Sequence, residues 1–220
     1  MSDPSPRLAL FDLDGTLTDN SEGIVRGTEI GLDAVGVTGV STDDIRSQIG
    51  PPLRSMFAGW GLSPDEVERA VVAYREYYRA TGVLENRVYD GVREAIAALV
   101  DAGLRLAVAT SKPETFAVQI LEHFELAHHF GCIAGATLDG SREAKSDIIS
   151  HALSLLGHHG DDTVMIGDRR HDIEGAALAS VPSTVGVLWG FGSLEELSAA
   201  GAEQVVATPA ELVTVLLQHP

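Results

Sequence analysis

Asp12 and Asp14 flank a single leucine at the end of a short apolar run, Arg7–Phe11, and Gly15-Thr16 follow them directly. Two carboxylates spaced two apart leave an extended strand end on the same side, so they can serve one ligand. Thr110-Ser111-Lys112 stands in the same relation to the apolar run Leu104–Ala109, and Gly167-Asp168-Arg169-Arg170-His171-Asp172 to Thr163–Ile166. Lys145 opens a helical pattern, Lys145–Leu156. The chemistry open to such a set is phosphoryl transfer. A carboxylate is ionised at neutral pH and needs no base to act as a nucleophile. Asp12 and Asp168, with waters and a backbone carbonyl, can supply the oxygen shell that Mg²⁺ prefers, and the cation lets an anionic carboxylate approach phosphorus. Gly15 permits close backbone approach, and the amides after it can hold phosphate oxygens. Thr110 or Ser111 can donate to a phosphate oxygen, while Lys145 offsets charge developing in the transition state.

The surrounding pattern is one that would bring these residues together. Four clear strand-length apolar runs (Arg7–Phe11, Leu104–Ala109, Thr163–Ile166, Thr184–Leu188) and two weaker ones (Cys132–Ala134, Gln204–Ala207) alternate with helical patterns at Val92–Ala102, Glu114–Phe124, Lys145–Leu156 and Asp172–Ala179. Such alternation predicts an α/β fold, a doubly wound and mostly parallel sheet with helices on both faces. Ligands of such sheets bind outside the carboxyl ends of the strands, where these residues fall. Residues 20–87 interrupt the alternation and read only as helices: Glu22–Val35, a short one near Asp43–Gln48, Leu53–Trp60 and Pro64–Ala80. Ser63 and Glu66 form a capping box with Pro64 at the first helical position, and Thr208-Pro209-Ala210-Glu211 repeats the device. The expected division is a core of residues 1–19 and 88–220 carrying a helical insert, 20–87.

A chain of 220 residues has room for such a core and insert. Its formal net charge of −17 argues against nucleic acid or an anionic membrane as partner. No apolar run reaches the ~20 residues of a membrane span, and Met1–Arg7 lacks the pattern of a signal peptide, so a cytoplasmic enzyme acting on a small phosphorylated metabolite is expected. The sequence says nothing of oligomeric state. Of the fifteen Lys and Arg residues only Lys112 and Lys145 are lysines, and both lie in the segments singled out above. Lys offers a compact, mobile point charge where Arg offers a rigid planar fork. Cys132 reads as a core thiol, and the pairs His128-His129 and His158-His159 as solvated loop residues whose rings point apart. Tyr74, Tyr77 and Tyr78 read as facing the core of the insert; Trp189-Gly190-Phe191-Gly192 follows a strand and could border the site, though a structural loop is the favoured reading.

Taken in order, Asp12-Leu13-Asp14-Gly15-Thr16, Thr110, Lys145 and Gly167-Asp168-Arg169-Arg170-His171-Asp172 resemble the signature of the haloacid dehalogenase superfamily across essentially the whole chain. The resemblance implies that Asp12 is the phosphorylated nucleophile. Asp14 would protonate the leaving alcohol, then activate water, and would offer its backbone carbonyl to Mg²⁺. Asp168 would be a further metal ligand, and Asp172 either a ligand through water or a partner of Lys145. The insert resembles the helical cap of the phosphoglycolate phosphatase-like subgroup, with Ile49-Gly50-Pro51-Pro52-Leu53 as its cap loop. Arg142-Glu143-Ala144-Lys145 and Gly167-Asp168-Arg169 look closest to phosphatase and 5′-nucleotidase-like members. Gly15, Thr16 and Ser111 join the substrate contacts, and Arg54, one step past the cap loop, is placed to meet an acidic leaving group bidentately.

Other readings of the same residues are weaker. A calcium loop fails because Gly15 stands fourth from Asp12 rather than sixth, and position twelve is Gly23, not Glu. A receiver-like signalling module also uses a phosphoaspartate, but it places the acceptor on a middle strand and has no room for a helical insert. Pyrophosphatase, 5′-nucleotidase and β-phosphoglucomutase-like phosphomutase chemistry all remain compatible with the motifs.

Overall fold

The computed structural model describes residues 8–218. In chain order the elements are β1 (Leu8–Phe11), β2 (Thr18–Asp19), α1 (Ser21–Asp33), α2 (Thr42–Ser47), α3 (Leu53–Ala58), α4 (Pro64–Ala80), β3 (Arg87–Val88), α5 (Val92–Asp101), β4 (Arg105–Pro113), α6 (Glu114–His123), β5 (Ile133–Ala136), α7 (Lys145–Leu156), β6 (Thr163–Gly167), α8 (Arg170–Leu178), β7 (Ser183–Val187), α9 (Leu194–Ala199), β8 (Gln204–Val206) and α10 (Pro209–Gln218). They fall into two compact units, Met1–Thr18 with Val88–Pro220, and Asp19–Arg87. The signal-peptide expectation for Met1–Arg7 lies outside the described residues.

The larger unit is an α/β fold on a six-stranded parallel sheet of order β5-β4-β1-β6-β7-β8. β1 is buried along its whole length, as a central strand covered on both faces must be. It pairs with β4 through Leu8↔Arg105 to Phe11↔Val108 and with β6 through Leu8↔Thr163 to Phe11↔Ile166. Leu8, Leu10, Ala107, Ala109 and Met165 point to one face, against Ile148, Ile149 and Ala152 of α7 and Ala176 of α8. Ala9, Phe11, Leu106 and Val108 are buried on the other. Each fully buried large apolar side chain contributes roughly 1.5–3 kcal/mol, which anchors the strand ends that carry the motifs. Because the chain leaves β1 for β4 on one side and reaches β6 on the other, the strand order reverses at β1, where such sheets open a crevice.

Four elements differ from the sequence pattern: β2 and β3, which pair as a two-stranded sheet, together with β4 and α9. β4 continues to Pro113, four residues past its apolar run, and is irregular at its end: Thr110 pairs with Gly135 and Pro113 with Ala136, three steps against one. The first turn of α6 has no side-chain cap. α9 lacks a long apolar stripe and was not expected. It is capped by Ser193, which accepts from the Glu196 amide at 3.1 Å.

The smaller unit, Asp19–Arg87, is helical. Gly23, Gly27 and Gly31 repeat every fourth residue on α1. A Cβ at Gly27 would lie 2.8 Å from the Tyr74 ring, and one at Gly31 2.5 Å from Phe57 and 2.9 Å from the Ala70 carbonyl oxygen. Glycine costs a helix about 0.5–1 kcal/mol per position, and here it lets α1 approach α4 closely. Tyr74 and Tyr78 are buried and stacked at 5.4 Å, while Tyr77 is half-buried and donates to Glu85. Glu66 accepts from the Ser63 amide at 2.9 Å, which closes the start of α4. No helix among the described residues is long and apolar enough to cross a membrane.

Candidate active site

Asp12 follows β1, its amide still bonded to the Ile166 carbonyl at 2.9 Å. The chain then folds sharply. The Leu13 carbonyl accepts from the amides of Thr16, Leu17 and Thr18, and the Gly15 amide donates to the Thr18 carbonyl at 2.8 Å. Gly15 has φ +85°, a left-handed conformation natural to glycine. A Cβ there would stand 2.2 Å from Asp168 Oδ2. The amides of Gly15 and Thr16 thus hold the turn, and the Thr16 hydroxyl donates to Asp168 Oδ1 at 3.3 Å.

Asp12 and Asp172 meet at Lys145. The Lys145 ammonium donates to the Ala109 carbonyl oxygen at 3.0 Å and forms ion pairs with Asp12 Oδ1 at 3.0 Å and Asp172 Oδ1 at 2.7 Å. Lys145 is the first residue of α7 and is buried. Its stem has room because position 175 is glycine, where a Cβ would fall 2.6 Å from Lys145 Cγ. Burial alone would lower the Lys145 pKa, but Asp12 and Asp172 reverse this and raise it. Asp172 Oδ2 accepts from the Arg169 amide at 3.1 Å.

Asp168 is fully buried and held from two sides, by the Thr16 hydroxyl and by the Phe191 amide, which donates to Oδ2 at 2.7 Å. Trp189 Nε1 donates to the Thr16 carbonyl at 3.0 Å. The Trp189-Gly190-Phe191-Gly192 loop is therefore part of the site rather than only structural. Its two glycines show why: a Cβ at Gly190 would lie 2.5 Å from Asp168 Oδ2, and one at Gly192 1.9 Å from the Asp168 carbonyl oxygen. The position of this loop just after an apolar strand was the signal in the sequence.

Oxygens of Asp12, Asp168 and Asp172 lie within 4.8 Å of one another, the one such cluster among the described residues. Burial, then Asp172 and Asp12, pushes the Asp168 carboxyl well above the usual range. Burial pushes Asp172 up to about 6, with Lys145 pulling it down and Asp12 adding to the rise. With Asp14, which pairs with Lys112 at 2.8 Å, four carboxylates face two ammonium groups, leaving two negative charges when all are ionised. An all-oxygen donor set with that excess suits a hard divalent cation. The residues present fit Mg²⁺.

Thr110 is buried, and its Oγ1 accepts from the Lys112 amide at 3.2 Å, while Ser111 is half-buried on the same strand end. Arg54 belongs to the other unit, where its guanidinium grips Glu68 through Nε at 2.6 Å and Nη2 at 3.2 Å. The His128 and His129 rings do not point apart; their centroids are 3.9 Å apart because a short turn of helix, Ala127–His129, brings them together. Cys132 is half-buried, and burial and Glu114 raise its pKa to about 11.

The haloacid dehalogenase-like hydrolase family pattern matches residues 9–186. The chain belongs to this family. It is 44% identical to a 5′-nucleotidase of Pseudomonas aeruginosa over 211 residues, 96% of this chain and 95% of that one. It is 45% identical to the tyrosine-protein kinase PtkA of Mycobacterium tuberculosis over 188 residues, 86% of this chain, but spans only 64% of that protein's length. A predicted phosphatase from Clostridium acetobutylicum, solved by crystallography, superposes with a TM-score of 0.93 at 41% identity, covering 97% of this chain and 99% of that one.

Proposed function

We propose that this haloacid dehalogenase-like hydrolase is a Mg²⁺-dependent phosphatase that cleaves small phosphate monoesters through a phosphoaspartate on Asp12. The observation that carries the reading is the state of the Asp12 carboxylate. Its Oδ1 accepts from the Leu13 amide at 2.7 Å and lies 3.0 Å from the Lys145 ammonium, contacts that fix the orientation of the carboxylate, as a nucleophile requires. Asp12, Asp168, Asp172 and the Asp14 carbonyl would hold Mg²⁺, which supplies charge neutralisation at the phosphate. Lys145 and the Thr110 hydroxyl steady the charge that develops on the transferring group, with Ser111, Thr16 and the Gly15 backbone as further contacts. Asp14 enters the first step protonated and gives that proton to the departing alcohol; the carboxylate left behind then takes a proton from the water that opens the phosphoaspartate. The helical unit Asp19–Arg87 would act as a cap that selects the leaving group. In it Arg54 would exchange Glu68 for an acidic group on the substrate.

Relatives support the small-ester reading, the 5′-nucleotidase above all, since its match extends over nearly the whole of both chains. The decisive experiment is a panel containing phosphoglycolate, nucleoside 5′-monophosphates, pyrophosphate and sugar phosphates, assayed for released phosphate with Mg²⁺ and with chelator. Asp12→Asn keeps the shape but removes the anionic nucleophile, and activity should fall by several orders of magnitude. Retained activity in that variant rules out the covalent route. The likeness to PtkA carries a second reading, in which the phosphoaspartate passes its group to a tyrosine hydroxyl instead of water. Transfer of label from γ-labelled ATP to a tyrosine peptide, without matching phosphate release, would favour it.

A further inference from the structure

Lys112 has no part in the mechanism above, yet it is one of only two lysines in the chain and its side chain is 5% exposed. Its ammonium stands 2.8 Å from Asp14 Oδ2. The other lysine grips the nucleophile Asp12, so each lysine holds one carboxylate of the Asp12-Leu13-Asp14 motif.

Lys112 reaches Asp14 because of the irregular end of β4. A regular strand would carry the pairing with β5 straight on from Thr110↔Gly135, but β4 uses three steps to Pro113 where β5 uses one to Ala136. Bulged strand ends re-aim side chains in this way. Two features build the irregularity in. Position 135 is glycine, where a Cβ would lie 2.6 Å from the Glu114 backbone and 2.7 Å from the Lys112 carbonyl oxygen. Arg142 then braces the fold-over, with Nε donating to the Gly135 carbonyl at 2.9 Å and Nη2 to Glu114 Oε2 at 2.7 Å. The Thr110 hydroxyl oxygen takes the Lys112 amide from inside the bend.

We infer that Lys112 is a positioning residue for Asp14, holding its carboxylate where it meets the oxygen of the leaving group. This rests on the reading of Asp14 as the acid of the first step. A carboxylate on a short side chain has several staggered positions, and a buried ammonium at 2.8 Å selects one of them. Misplacing a catalytic group by about 1 Å costs on the order of 100-fold. The loss should appear only where the leaving oxygen needs a proton.

Phenyl phosphate and p-nitrophenyl phosphate test this, because they are nearly the same shape and only phenolate needs protonation to depart readily. Phosphoenzyme formation is followed by rapid quench for the wild type, Lys112→Met and Lys112→Arg. Lys112→Met should lower the phenyl to p-nitrophenyl rate ratio by about tenfold or more, with KM for both esters little changed. Lys112→Arg, which keeps the charge but not the reach, should shift the ratio in the same direction and serves if the Met variant does not fold. An equal loss on both esters, a rise in KM alone, or unchanged rates in the folded variants each overturn the inference while leaving the phosphatase reading intact. A wild type that forms no phosphoenzyme from either ester overturns both.

Discussion

Replacing Lys145 by Met removes a charge while keeping the length and apolar stem of the side chain, and the structure indicates how the loss should depend on pH. The ammonium sits 3.0 Å from Asp12 and 2.7 Å from Asp172, and the three clustered carboxylates have oxygens within 4.8 Å of one another. At an effective dielectric of about 20, two charges 4.8 Å apart repel by about 3.5 kcal/mol. Removing one member of a buried ionic set costs about 3–5 kcal/mol when the remaining charge cannot relax. Here it can relax by taking up a proton. The Asp172 carboxyl is already lifted to about 6 by burial, against the pull of Lys145, so losing Lys145 lifts it further. A carboxyl whose folded pKa lies above its unfolded value of about 3.9 binds more protons in the folded state. Stability therefore falls as pH rises from the unfolded pKa, until pH passes the folded one. In the wild type that decline from Asp172 is complete a little above pH 6. In Lys145→Met it continues, at about 1.4 kcal/mol per unit of further lift. Urea unfolding in chelator, followed by Trp189 fluorescence in a Trp60→Phe background, should show a stability gap of about 1–2 kcal/mol at pH 5 that widens to about 3–5 kcal/mol at pH 8. A gap that is constant between those pH values would refute the argument that repulsion among the acids, rather than lost packing, sets the cost.

Gly190→Ala would drive a methyl to within 2.3 Å of the Gly15 carbonyl and 2.5 Å of Asp168, so urea unfolding should show a loss of about 1–3 kcal/mol. Activity should fall further than that stability loss explains, because Asp168 is displaced. On the proposed reading Mg²⁺ would displace the proton that Asp172 retains up to about 6, so calorimetry should show affinity rising between pH 5 and pH 7, with proton release on binding. Affinity unchanged over that range would count against Asp172 as part of the cation site. Arg54 pairs with a well-exposed Glu68, so Arg54→Ala should change stability by no more than about 1 kcal/mol. Its KM should rise for an acidic phosphate ester but not for a neutral aryl phosphate, and an equal effect on both would assign Arg54 to folding or motion of the helical unit.

The parallel α/β sheet was legible because its strands are buried on both faces and show as unbroken apolar runs, as Leu8–Phe11 and Thr163–Ile166 do. Asp12, Asp168, Asp172 and Lys145 could be grouped from sequence because each stands at the end of a strand or the start of a helix, and parallel topology brings those ends to one edge. The ion pair of Lys112 with Asp14 could not be read in this way. It depends on the bulge after Thr110, which arises from the absence of a Cβ at Gly135 and a brace from Arg142, neither of which has a periodic signature. The contact of Phe191 with Asp168 is a backbone hydrogen bond, to which side-chain patterns are blind. α9 is six residues long, too short for a helical period to stand out.

The scarcity of lysine has a practical use. The chain's two side-chain amines, Lys112 and Lys145, are both buried and both engaged with carboxylates. An acylating reagent that attacks neutral amines will therefore find no ready side-chain target on the folded surface, and thirteen arginines will not react in their place. Each acylation of a lysine must wait for a local opening of the site. The rate at which such a reagent marks these two positions, read by peptide mass, becomes a clock for how often this edge of the sheet comes apart, with no substrate, metal or engineered label required.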